Sequence, residues 1–355
     1  MSSKKWLGML VFFTIGKTGR FFLRENGESK DIKQTACCEG GNMQAIRLVN
    51  TNELSHREWL AWRRRGITGS DVGAICGVDP YRSALAVYLE KTGQMAESED
   101  TEAMHFGRMM EEVVAEEFSR RTGYKLQRRN AILQHPEKEW VIGNIDRLII
   151  DAERGNGVLE IKTASEYARK EWEDGNVPEA YQLQLQWYLY ITGLTWGAFA
   201  VLIGGNTFRH QVVARDDELI ALSFRICEHF WHHHVLAGVP PLSDGSEATA
   251  ALLANIYPEG EVDSTLILPD EAEELIAQWE KAERDIQEAA QRKREAENRL
   301  KALIGRHETG LTSAHRVTWK NVSRRTLDIK ALKEQRPDIY EQFARPAVSR
   351  RFIIT

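Results

Sequence analysis

The sequence predicts a mixed α/β fold with an antiparallel hairpin at its centre. Apolar residues recur at helical spacing in several stretches between residues 52 and 121 and again over 178–193. Between them, the runs 130–136, 140–150 and 157–163 are short, β-branched and bounded by turn residues. Helical and strand patterns thus alternate along one chain.

The elements follow in order. Ser55 and Glu58 form a capping box ahead of "REWLAWRRR", and Gly66 is placed to close that helix. "RRRGITGSDVGAICG" then gives an arginine run, a glycine-flanked Thr/Ser turn and a helix opening at Asp71. "SALAVYLEKTG" (83–93) is a helix ending at Gly93, "ESEDTEA" (97–103) an acidic loop, and 106–121 a helix stopped at Gly123. Three strands follow, "NAILQHP", "WVIGNIDRLII" and "GVLEIKT", and then the helix "PEAYQLQLQWYLYITG". "WGAFAVLIGG" and "FRHQVVARD" read as a closing strand pair, and 216–237 as a further helix. Composition shifts after "GVPPLSDGSEATA", which marks a linker. Beyond it, 270–305 is a long charged helix with a sparse apolar stripe at Leu275, Trp279, Ile286, Leu300 and Ile304, read as solvated or packed on a partner. "HRVTWKN" and "SRRFIIT" suggest a small β-containing basic tail. The expected division is an N-terminal extension at 1–42, a main domain at 43–243, a linker at 244–263 and an accessory region at 264–355.

The chain has 355 residues, and Lys+Arg 47 against Asp+Glu 52 gives a net charge of -5, so no global positive field announces a nucleic-acid partner. Any such partner is held locally. Cys37, Cys38, Cys76 and Cys227 match neither paired zinc ligands nor a disulfide framework, which suits a reducing cytoplasm. Lys4 and Lys5 ahead of "WLGMLVFFTIG" imitate a signal peptide, yet the run is too short to span a membrane and no A-x-A cleavage pattern follows. An added tail, or Met43 as the working start, fits better than export.

The chemistry concentrates in "NIDRLIIDAERGNGVLEIKT" (144–163). Strand side chains alternate, so Glu160 and Lys162 project together, opposite Leu159 and Ile161. A turn centred near Glu153 sets Asp146 across from Glu160, with Cβ atoms about 4.5 to 5.5 Å apart. Two carboxylates so close share a cation or repel, in which case one tends to keep a proton. Oxygen ligands of this kind suit Mg²⁺ or Mn²⁺ completed by phosphate oxygens. Lys162 lies where it could orient or help deprotonate a metal-bound water. An E-x-K on a strand is by itself more often a solvated face, but three other stretches add weight. "HFGRMMEEVVAEEF" offers Glu111, or Glu112 beside it, as a third carboxylate. Gln184 and Tyr188 lie four apart on one helix face. The turn after Arg63, with Thr68 and Ser70, supplies hydroxyls, backbone N–H groups and a guanidinium for a phosphate. "HHH" at 232–234 reads as structural, since adjacent helical residues diverge by about 100°. Trp59, Trp62 and Trp187 are assigned to packing.

In their order and spacing, "RRRGITGSD", "FGRMMEE", "NIDR", "LEIKT" and "QLQWYLYIT" resemble the PD-(D/E)XK nuclease superfamily, and within it the YqaJ-like viral recombinase group that includes phage lambda exonuclease. The resemblance runs from about residue 52 to 240. It implies a restriction-endonuclease-like core, a central mixed sheet flanked by helices, with the C-terminal helical extension and its β tail added. It also implies Glu111, Asp146 and Glu160 as metal ligands, with the Ile161 carbonyl, for Mg²⁺ (or Mn²⁺) as two ions per active site. Lys162 would serve the nucleophilic water, Gln184 would be the motif glutamine, and Tyr188 would complete Q-x-x-x-Y. Arg63 and Ser70, with Thr68 between them, match positions that hold a 5′ phosphate. Ile145 stands where the superfamily name carries proline, and the four cysteines of iron–sulfur relatives are lacking.

The activity so implied is a metal-dependent deoxyribonuclease that degrades one strand of duplex DNA from its 5′ end and leaves 3′ overhangs for a phage single-strand annealing protein. The implied partners are double-stranded DNA ends and further copies of the chain in a trimeric ring, with no membrane, in the cytoplasm of a bacterial host carrying a phage or prophage. Two alternatives stand beside it: an endonuclease of the same superfamily, and a non-catalytic DNA-binding or assembly module on the nuclease fold.

Overall fold

The structure, a computed structural model, describes residues 45–95, 101–345 and 350–354, together with the backbone of three short strands nearer the N terminus. Those are β1 (Phe12–Ile15), β2 (Phe21–Glu25) and β3 (Glu28–Ser29), paired antiparallel in that order. The rest of the expected 1–42 extension, with Lys4, Lys5, Cys37 and Cys38, lies outside the described residues, as do 97–100 of the acidic loop. The chain divides into two compact units, Met1–Leu242 and Ser243–Thr355.

Besides β1–β3, the described residues of the main unit form two sheets. One pairs β4 (Ile46–Asn50), β6 (Ala131–His135) and β7 (Lys138–Gly143) antiparallel. The other has five strands, β5 (Lys125–Arg128), β8 (Arg147–Ile150), β9 (Gly157–Ala164), β10 (Trp196–Ile203) and β11 (Thr207–Ala214), in spatial order β11-β10-β9-β8-β5. The β9–β10 pair is parallel and the others antiparallel. Helix α4 (Glu102–Thr122) covers one face, where Val114, Ala115 and Phe118 bury against Leu159, Ile161, Ala198 and Ala200. Helix α5 (Glu179–Thr192) covers the other, where Leu185, Trp187 and Leu189 join Val158, Phe199 and Val201. Gly123 and Gly193 end these two helices at φ 77° and 72°, a backbone region that glycine enters without a Cβ penalty. The period of two then fixes where the chemistry goes: Val158 faces α5, so Glu160 and Lys162 on the same strand do too.

Three local expectations need correction. The run 140–150 is not one strand: it ends in one sheet at Gly143 and resumes in the other at Arg147. The cause is a long-range grip, because the Ile67 N–H donates to the Trp140 carbonyl at 2.7 Å and the Ile142 N–H to the Ile67 carbonyl at 3.0 Å. Gly66 does not close α1 (His56–Arg63); a Cβ there would meet the Trp140 carbonyl oxygen at 2.2 Å, so the glycine is needed for this close approach. Finally, α2 (Gly69–Ile75) opens at Gly69, with Asp71 turned back to accept from the Thr68 N–H at 2.8 Å. The Ser55–Glu58 box ahead of α1 is present. Gly66→Ala is expected to lower stability by about 1–3 kcal/mol through overpacking, read as a lower denaturation midpoint at unchanged slope.

α3 (Ala84–Lys91) is capped by Ser83, and α6 (Asp217–Phe230) continues through a π turn that carries His232, His233 and His234. In the second unit, α7 (Glu247–Ile256) lies within the stretch read as linker. α8 (Glu271–Ile304) is the expected long helix; Leu275, Trp279, Ile286 and Leu300 are exposed along it and Ile304 is buried. The hairpin β12 (Thr309–Leu311) and β13 (Arg316–Thr318) takes in part of "HRVTWKN". Residues 350–354 form no strand, and α9 (Ile329–Gln335) and α10 (Pro337–Phe343) were not foreseen.

Candidate active site

The β8–β9 ladder pairs Arg147 with Leu159 and Leu148 with Val158. The same register carried one residue further sets Asp146 opposite Glu160, as the turn centre predicts. Asp146 is tied down as well, its Oδ2 accepting from the Ile161 N–H at 2.8 Å. Ile161 therefore meets the aspartate through its backbone.

Glu160 is only 2% exposed. Its Oε1 accepts from Lys162 Nζ at 2.8 Å and from Gln184 Nε2 at 2.6 Å, while its Oε2 is buried without a hydrogen-bond partner. An unsatisfied buried carboxylate oxygen is unfavourable unless something positive occupies its open side. Lys162 also donates to Gln184 Oε1 at 3.0 Å and stands 4.6 Å over the Tyr181 ring. Gln184 Nε2 donates in turn to the Tyr188 hydroxyl at 3.2 Å. Glu160 and Lys162 on β9, with Tyr188 one turn along α5, thus hold both ends of the glutamine amide, and its carbonyl end fixes the lysine.

The electrostatics agree. Burial raises the Asp146 carboxyl well above the ordinary range, with Glu160 raising it further, and burial raises Glu160 too. For Lys162 burial works downward, but the Glu160 and Asp146 carboxylates outweigh it and raise the ammonium. Lys162 is therefore a charged donor, which suits orienting a water. Burial, then the two carboxylates, push the Tyr188 phenol well up, so it stays a protonated hydroxyl.

Asp146, Glu160, Gln184 and Tyr188 open into one cleft of about 440 Å³, lined also by Arg63, Thr68, Ser70, Glu111, Arg108 and Arg129, with Lys162 directly behind Glu160 and Gln184. Arg63 donates to the Thr68 hydroxyl at 3.1 Å and the Ser70 hydroxyl at 2.8 Å, and lies 4.6 Å over the Trp59 ring. Nine of the residues singled out from the sequence thus line this cleft or sit directly behind it: Arg63, Thr68, Ser70, Glu111, Asp146, Glu160, Lys162, Gln184 and Tyr188. Glu111 is differently engaged, ion-paired with the buried Arg147, which also reaches Glu112 at 2.9 Å. Among the described residues, no three His, Cys, Asp or Glu side chains stand close enough together to hold an ion.

The sequence reading missed Arg147, hidden in its own "NIDR" motif, and the group behind Arg63. It also placed Trp59 in packing, whereas Trp59 lines the cleft; Trp187 does pack in the core, its indole N–H donating to the Ile67 carbonyl at 3.2 Å. A Thr68-x-x-Asp71 capping pattern was the one available signal for the group behind Arg63.

Residues 58–195 match the family model of the YqaJ-like viral recombinase domain. The uncharacterized protein YqaJ of Bacillus subtilis (strain 168) is 39% identical over 308 residues, spanning 86% of this chain and 96% of that protein. The chain belongs to the YqaJ-like viral recombinase family. Its central mixed sheet flanked by helices is the fold class the resemblance implies. The uncharacterized protein R354 of Acanthamoeba polyphaga mimivirus is 24% identical over 160 residues, 42% of this chain and 29% of that one. Among solved structures, an alkaline exonuclease (LHK-Exo) from Laribacter hongkongensis aligns with a TM-score of 0.45 at 20% identity, over 56% of this chain and 99% of that one. A phage-related exonuclease from Haemophilus somnus 129PT aligns with a TM-score of 0.34 at 13% identity, over 54% and 96%. Among the described residues, no helix is long and apolar enough to cross a membrane.

Proposed function

We propose that this YqaJ-family chain is a divalent-metal-dependent deoxyribonuclease that degrades one strand of duplex DNA from its 5′ end, leaving a 3′ overhang for a single-strand annealing protein. The observation that carries the reading is the orphaned Glu160 Oε2 beside the desolvated Asp146 carboxylate. Two buried acids, one of them with an oxygen open and the other oxygen on a lysine, form a donor set that fits a hard cation such as Mg²⁺ or Mn²⁺. Asp146 and Glu160 would hold it, with the Ile161 carbonyl; Glu111 could join only by leaving Arg147. Bound there, the ion would supply Lewis-acid activation of water and charge neutralisation at phosphorus, and a second ion would steady the leaving oxygen.

The chain's own residues do the rest. Gln184 fixes the Lys162 ammonium against Glu160, where it can orient a water for attack. Arg63, Thr68 and Ser70 offer a guanidinium and two hydroxyls at the far side of the same cleft, a donor set for a terminal phosphate. A phosphate anchored there would place the adjoining phosphodiester near the carboxylates, which favours starting at a phosphorylated end; that this end is the 5′ one is what the family resemblance implies. Localisation in the cytoplasm of a bacterial host and assembly into a ring around DNA belong to the same reading.

Digestion of linear duplex DNA labelled separately at its 5′ and 3′ ends, beside a closed circle, tests it. Early release of 5′ label with Mg²⁺, no release in EDTA and an intact circle are expected. A cut circle would make the protein an endonuclease, and binding without cleavage under any divalent ion would leave a DNA-binding module.

A further inference from the structure

The strongest feature outside the carboxylate site is a buried ion cluster behind Arg63. Asp71 is fully buried on α2, and its carboxylate accepts from the Thr68 N–H and the Thr68 hydroxyl, both at 2.8 Å. It also meets Arg82 at 2.8 Å and Lys91 at 2.6 Å. Arg82 in turn pairs with Glu90, and Lys91 Nζ donates to the Arg63 carbonyl at 2.8 Å. Arg63 itself stands off, 3.7 Å from Asp71. That separation matters. Asp71 Oδ2 takes the Thr68 N–H, the Thr68 hydroxyl and Lys91, and Oδ1 takes Arg82, so two closer cations already balance its charge and the Arg63 guanidinium is left to the Thr68 and Ser70 hydroxyls and to the cleft. The cluster of Arg63, Arg82 and Lys91 against Asp71 and Glu90 carries one positive charge in excess.

We propose that Lys91 and Arg82 are positioning residues: by balancing the Asp71 charge at closer range they hold the Arg63 guanidinium in the cleft for the terminal phosphate of a DNA end. This rests on the phosphate role given to Arg63 above. Neither Lys91 nor Arg82 lines the cleft, so each acts through Arg63. Without Lys91, Asp71 loses its closest cation and draws Arg63 inward from its present 3.7 Å, away from the hydroxyls. The net cationic character of the cluster then falls at the same time, and an anion in the cleft is attracted less.

The test compares binding of short duplexes that differ only in a 5′-phosphate or 5′-hydroxyl terminus, by fluorescence anisotropy in EDTA, so that binding is read apart from hydrolysis. Wild type is expected to favour the phosphorylated end, and Lys91→Met to lose about tenfold of that preference, the scale of one charged hydrogen bond. Lys91→Arg, which keeps the charge, is expected to restore most of it. A merely structural role for Lys91 would weaken both duplexes alike. If Lys91→Met does not fold, as judged by its circular dichroism melt, Arg82→Gln is read in the same way. A folded variant that keeps the wild-type preference overturns the proposal, as does a wild type with no preference. Because the readout needs no cleavage, a wild type that prefers the phosphate yet never cuts DNA would contradict the nuclease reading alone.

Discussion

Lys162→Ala is expected to slow hydrolysis of linear duplex DNA by about 10²- to 10³-fold, the range for removing one preorganised charged donor at the reacting atoms. Lys162 contacts Glu160 and Gln184 at the same time, at 2.8 and 3.0 Å, so no neighbour replaces it. Its removal also leaves Glu160 without its cation while Oε2 is already unpartnered. The variant is therefore expected to gain more than wild type from added Mg²⁺ in thermal stability, although it no longer cuts. Release of acid-soluble nucleotide, followed beside a melting curve, checks both halves. Activity within a few-fold of wild type in a folded variant would remove Lys162 from the chemistry.

The second large effect belongs to Asp146. Its carboxyl is raised by burial and by Glu160, so the protonated form is favoured in the folded state. A group whose folded pKa lies above its unfolded value, near 3.9, contributes stability that is complete below the unfolded value. That contribution is lost as pH rises through the folded value. Wild type without divalent ions is thus expected to lose stability as pH climbs above about 4 toward neutrality, and Asp146→Asn to lose that part of the dependence. Saturating Mg²⁺, at a hundred times its Kd, should raise the wild-type Tm by about 5 to 10 °C at neutral pH, and Asp146→Asn should gain little. Differential scanning fluorimetry across pH, with Mg²⁺ or EDTA, gives the comparison. Equal Mg²⁺ shifts in both proteins would place the ion elsewhere.

What was legible in the sequence was local. The hairpin register followed from strand period and turn position, and the ladder from Arg147–Leu159 to Ile149–Gly157 has it. Helix ends followed from the Ser55–Glu58 box and from Gly123, because caps are set by a few neighbouring residues. Gln184 and Tyr188 were paired by helical spacing alone, and they share a hydrogen bond.

What was not legible depends on packing between distant segments. Nothing in "WVIGNIDRLII" marks its division between two sheets, because the cause is Ile67, more than seventy residues before. The split leaves Asp146 just ahead of β8, opposite Glu160, with its Oδ2 on the Ile161 N–H. Arg82 and Lys91 likewise look like ordinary surface residues until α2 and α3 bring them to Asp71. Glu111 was expected on a metal and is on Arg147, which no helical periodicity foretells.

The central claim is that Asp146 and Glu160 form a divalent-ion site, and the most direct measurement is an anomalous difference map from crystals soaked in Mn²⁺. A peak in contact with both carboxylates, on the open side of Glu160 Oε2, is the predicted result. Crystals that bind Mn²⁺ elsewhere, or a map with no peak at Asp146 and Glu160 at saturating Mn²⁺, would contradict it.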